Sequence, residues 1–86
     1  MLLPCNVIAM TERELLLLGQ LRQDIKAGRA REARVAAGFS QAELGEVVGV
    51  HQCTIHGWET GRRRPHGEAG VRYARLLDKL TRETTP

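Results

Sequence analysis

The sequence predicts an all-α fold, a small bundle of about five helices. Three observations point to it. Two helix starts carry a hydroxyl residue followed three places later by glutamate, Thr11 with Glu14 and Ser40 with Glu43. That spacing lets side chain and backbone cap each other reciprocally. Apolar residues recur at helical intervals, as in Val71, Ala74, Leu77 and Leu80. The aromatics are only Phe39, Trp58 and Tyr73, so the core falls to Leu, Val, Ile and Ala, which suits short packed helices. The 86 residues make one domain, near the size at which a single core is just adequate.

Residues 1–10 read as a short flexible leader. The stretch is apolar but lacks the basic region of a secretory signal. Met10 stands directly before a helix start and is a second candidate for initiation. Residues 11–27 form an additional N-terminal helix, opened by the Thr11–Glu14 pair. Leu15, Leu18, Leu21 and Ile25 give it an apolar stripe, widened by Leu16 and Leu17. Four consecutive leucines cannot share one face of a helix. Apolar surface is therefore left over, either to enlarge the core or to contact a second protein. Gly28 weakens a continuous helix by about 1 kcal/mol relative to alanine, so two helices, or one bent helix, are expected around it.

A further helix covers residues 29–37. Residues 40–61 are the stretch around which the chain is organised. Ser40 caps a short helix in which Leu44 and Val48 share a face. Gly49 follows, where a tight turn needs positive φ, and Val50 plugs the turn. A second short helix spans about 52–59, with Ile55 and Trp58 facing inward, and Gly61 terminates it. Two helices joined by a glycine turn make a helix-turn-helix, whose second helix suits a major groove. After three arginines, Pro65 ends the loop and lets a last helix begin near Gly67. Tyr73 and Leu76 flank its apolar row, and Arg72, Arg75 and Lys79 line a solvated face. Residues 81–86 read as a frayed tail.

The pattern resembles the lambda-repressor-like family of the Cro/Xre type. Arg34, Gly38-Phe39-Ser40-Gln41, Leu44, Gly49-Val50, Ile55, Trp58-Glu59, Gly61 and Pro65 match it in register, and the likeness covers residues 28–80. The resemblance implies a DNA-binding domain over that span. It implies that Arg34 forms a structural ion pair with Glu59, tying the first family helix to the end of the recognition helix. It also implies that Gln41 anchors to the DNA backbone and that Gln52 is the leading base reader. An amide reads adenine through N6 and N7, worth about 1–3 kcal/mol of discrimination.

The exposed N-terminal face of the recognition helix supplies the candidates for base readout: His51, Gln52, Cys53 and His56, with Gly57 beside them. Arg62, Arg63 and Arg64 follow the helix directly and are the candidates for phosphate contact. Three positions depart from the family pattern. His51 replaces a Ser or Thr cap and is expected to cap poorly. Gly57 stands where relatives carry a long polar reader. Gly45 replaces the usual alanine. Together they predict a marginally stable motif that tightens on DNA. Ala30 and Ala33 are smaller than the family norm, so another helix must fill the space beside them.

The net charge is +3, and the only basic run is 62–64. That balance favours a polyanionic partner. No apolar run reaches membrane-spanning length. The cysteines, Cys5 and Cys53, lie one in the leader and one in the motif, which fits a reduced cytoplasmic protein better than a disulfide framework. His51, Cys53 and His56 do not share a helix face, so no metal site is expected. No nucleophile, base and acid set suggests an enzyme, and no cofactor is implied. The expected activity is sequence-specific binding of double-stranded DNA as a homodimer, by a bacterial or phage regulator that acts as a repressor. The alternative is an antitoxin-type protein, which binds a toxin through the N-terminal leucine-rich helix and represses its own promoter.

Overall fold

The computed structural model describes residues 10–84. Among them are five helices and no strand: α1 (Glu12–Lys26), α2 (Arg29–Ala36), α3 (Gln41–Val48), α4 (Gln52–Glu59) and α5 (Gly67–Thr84). The leader expected at 1–10, Met10 excepted, and Cys5 with it, lie outside the described residues.

Local signals set the helix starts. Thr11 and Glu14 cap α1 reciprocally, and Ser40 and Glu43 do the same for α3. The break between α1 and α2 falls at Gly28, whose φ of 80° is left-handed. The chain therefore forms two helices there, since a left-handed residue ends the helical hydrogen-bond ladder.

Packing then selects the faces. α1 lies antiparallel to α5: Glu14 pairs with Arg75 at one end, and Arg22 bonds the Pro65 carbonyl at the other. This pairing turns Leu18 and Leu21 into the core, with Leu17 and Ile25 packed against it. Leu15 is 57% exposed and Leu16 is 68% exposed. The predicted stripe is thus shifted by the approach of α5, and Leu15 does not belong to it. Leu18, Leu21, Ala30, Leu44, Val48, Ile55, Trp58, Val71, Tyr73, Ala74, Leu77 and Leu80 form one core to which every helix contributes. The small side chains of Ala30 and Ala33 are met by α1 and α5 rather than by larger residues on α2. An open groove remains between the three helices, lined by Ala33, Ala36, Ala74 and Leu77 among others.

Two expectations for α5 are revised. Tyr73 does not flank the apolar row but is fully buried, its ring centroid 5.0 Å from that of Trp58. The helix also continues through Thr84 instead of fraying at 81. No glycine or proline occurs between residues 71 and 84, and Arg82 pairs with Asp78 one turn earlier at 3.4 Å.

The phenol oxygen of Tyr73 is buried without a hydrogen-bond partner among the described residues. Such a group costs about 1–3 kcal/mol. Tyr73→Phe keeps the ring against Trp58 and removes the cost, so it should stabilise the domain by about 1 kcal/mol in urea unfolding. Burial, with the Glu59 carboxylate near, also pushes ionisation of the phenol above its ordinary value of 10.0. The folded state then holds this proton after the unfolded chain has lost it. Wild-type stability should fall as pH rises above about 10, and the phenylalanine variant should lack that part of the decline. A variant less stable at neutral pH would contradict this account.

Candidate nucleic-acid interface

The site is built on α3, α4 and the turn between them. Gly49 takes φ 90° and donates its N–H to the Gly45 carbonyl at 2.7 Å; Val50 donates to the same oxygen at 2.9 Å. Gly45 is buried in this turn, and a Cβ there would lie 2.5 Å from the Val50 carbonyl oxygen. The absent side chain therefore lets the two helices close tightly. Gly45 is a packing requirement of this turn and not a weakness in α3.

His51 also differs from expectation. It is the N-cap of α4, and its Nδ1 accepts the Cys53 N–H at 3.0 Å. An imidazole nitrogen here does the work of a cap hydroxyl. That bond requires Nδ1 to be unprotonated, so the neutral ring carries its proton on Nε2. Gln52 and Cys53 follow, both exposed, and Cys53 is a free thiol. His56 is exposed one turn on from Gln52, so the two side chains share a face. Thr54 is half-buried, and Ile55 and Trp58 enter the core.

Gly57 does not belong to the exposed face. It is buried, and a Cβ at this position would meet the Arg63 side chain at 3.1 Å. The chain after α4 folds back, with Arg63 N–H donating to the Gly57 carbonyl at 3.1 Å. The stem of Arg63 thus covers the position from which a longer side chain would project.

Behind the exposed face sits a charged network. Arg34 donates from Nε to Glu59 Oε2 at 2.6 Å and from Nη2 to Oε1 at 3.2 Å, while Nη1 donates to the Phe39 carbonyl at 2.7 Å. The Arg34 side chain is 10% exposed and that of Glu59 is 2% exposed. Gln41 joins from the first turn of α3. Its amide nitrogen donates to Glu59 Oε1 at 3.0 Å and lies 3.3 Å from His56 Nδ1. An amide nitrogen can only donate, so this contact also leaves His56 with its proton on Nε2. The family resemblance implies that Gln41 anchors to the DNA backbone; here its amide nitrogen is directed to Glu59 and His56, a link between α3 and α4 that no local spacing signals.

Arg62, Arg63 and Arg64 are exposed. Their guanidinium groups make no ion pair among the described residues. The interface therefore joins a short polar face on α4 to three unneutralised cations at its end, an arrangement suited to reading bases while holding phosphates.

A helix-turn-helix family model matches residues 31–83, more than half of the chain. The chain belongs to the lambda-repressor-like, Cro/Xre-type helix-turn-helix family. No curated protein and no solved structure matches it. As a Cro/Xre-type domain it is a DNA-binding regulator. The match begins within α2, so α1 lies outside the matched residues. No described helix of this Cro/Xre-type chain is long and apolar enough to cross a membrane.

Proposed function

We propose that this chain is a cytoplasmic transcriptional repressor of bacterial or phage type, which binds an inverted repeat in double-stranded DNA as a homodimer. The observation that carries this reading is the exposed Gln52, Cys53 and His56 face of α4, set beside three arginines that make no ion pair among the described residues. A major groove admits one such helix and displays a full donor and acceptor code. Gln52 reads adenine through both amide groups. His51 and His56 each present an Nε2–H donor, which suits acceptors such as guanine N7 and O6. Cys53 sits against a thymine methyl. Arg62, Arg63 and Arg64 hold the flanking phosphates, and Gln41 exchanges its contact with His56 for one with the backbone. Repression is the mode of action proposed, since a domain bound across an operator blocks polymerase by occupying it.

Selection from a random duplex library tests the proposal. An enriched inverted repeat, with half-sites about 10 bp apart, is the expected result. Gln52→Ala should then relax one base position per half-site, at a cost of about 1–3 kcal/mol. Enrichment of a single short site would overturn the dimer, and no enrichment would overturn the repressor. The antitoxin reading draws on one observation, the exposure of Leu15 and Leu16 on a helix outside the matched region. A toxin-type partner binding there would leave DNA binding intact when both leucines are replaced by glutamine.

A further inference from the structure

Five arginines are neutralised within the fold: Arg29 by Asp24, Arg34 by Glu59, Arg72 by Glu68, Arg75 by Glu14 and Arg82 by Asp78. Four other cations converge on a single cleft of about 480 Å³. Arg22 and Lys26 line it from α1, and Arg63 and Arg64 line it from the loop after α4. None of the four makes an ion pair among the described residues. Among the described lining residues the one acidic side chain, Glu59, is already held by Arg34 and Gln41. Arg22 is held by its 3.2 Å bond to the Pro65 carbonyl, and its Nε is buried without an acceptor among the described residues.

Four like charges around one space make it a region of positive potential, which draws and holds an anion. The cleft is also continuous with the recognition helix, since Glu59, Thr60 and Gly61 form part of its wall. We propose that this cleft binds the phosphodiester backbone of duplex DNA, with α1 extending the footprint beyond the motif through Arg22 and Lys26. The proposal rests on the DNA-binding reading above. It adds that the helix preceding the family core, which lies outside the matched residues 31–83, is part of the DNA-contacting surface.

Lys26→Gln is the direct test, read as the dependence of duplex affinity on salt concentration. Lys26 is exposed and makes no hydrogen bond or ion pair among the described residues, so the fold should tolerate the change. Each phosphate neutralised contributes about 0.9 to the slope of log affinity against log salt. The variant should therefore lose about 0.9 from the slope and about eightfold in affinity near 0.1 M salt. The loss should be equal on specific and nonspecific duplexes. Lys79→Gln is the control: it is exposed on α5, equally unpaired among the described residues, and changes net charge by the same amount. It should leave the slope near the wild-type value. Arg22→Gln, checked for a native far-ultraviolet spectrum, should reduce the slope as Lys26→Gln does. A Lys26→Gln slope equal to wild type, or matched by Lys79→Gln, overturns the cleft while the repressor reading stands. A wild-type chain with no salt-dependent duplex binding overturns both.

Discussion

Glu59→Ala should destabilise the domain by about 3–5 kcal/mol in urea unfolding, the cost of stranding a buried charge. Arg34 is buried, with 8% of the residue exposed, and its guanidinium would keep a single acceptor, the Phe39 carbonyl. The amide nitrogen of Gln41 would lose its shortest partner as well. A domain of this kind has a total stability on the order of 5–15 kcal/mol, so the loss is a large share of what holds it folded. Removing both charges is a different experiment. Arg34→Met combined with Glu59→Leu abolishes the desolvation cost of both ions along with their attraction, and should cost much less than either single change. A double-mutant cycle with a large coupling energy would confirm the pair as a buried unit. A single variant that loses under about 1 kcal/mol would instead mark it as a solvent-screened contact.

Changing Arg62, Arg63 and Arg64 together to glutamine should leave the fold intact and nearly abolish DNA binding. With about 0.9 of salt slope per phosphate, three lost contacts remove about 2.7 from the slope and about 500-fold in affinity near 0.1 M salt. Glutamine is the right replacement because the stem at position 63 packs over Gly57, and that cover is largely kept. The preferred base sequence should not change, since phosphate contacts set position and not specificity. An unchanged slope would place the backbone on another surface of the molecule.

Much of the fold could be read from local spacing. A capping box needs only residues three apart, so Thr11 with Glu14 and Ser40 with Glu43 announced two helices before any packing was known. The turn at Gly49 and the inward pair Ile55 and Trp58 are equally local. The Arg34 and Glu59 pairing, 25 residues apart in the chain, came through family resemblance and not through spacing. The rest was decided by contacts that sequence distance hides. Which leucine of a run of four faces the core depends on where α5 lies, and that choice buried Leu18 and exposed Leu15. Gly57 looked like a vacant reader because nothing local shows that Arg63 folds back over it. His51 looked like a poor cap because histidine is rarely ranked as one, yet Nδ1 reaches the Cys53 amide. Arg22 and Lys26 carried no signal, since their neighbours in the cleft lie more than thirty residues along the chain.

The bonds that link Arg34, Glu59 and Gln41 join the helices α2, α3 and α4 at one buried point. Rotation of the recognition helix against its scaffold would have to separate a buried guanidinium from its carboxylate. The entropy of ordering that helix is therefore spent when the chain folds, and little remains to be spent when it meets its operator. Association should then carry the calorimetric signature of two preformed surfaces meeting, with a heat-capacity change set by the contact area alone and no added increment from coupled folding.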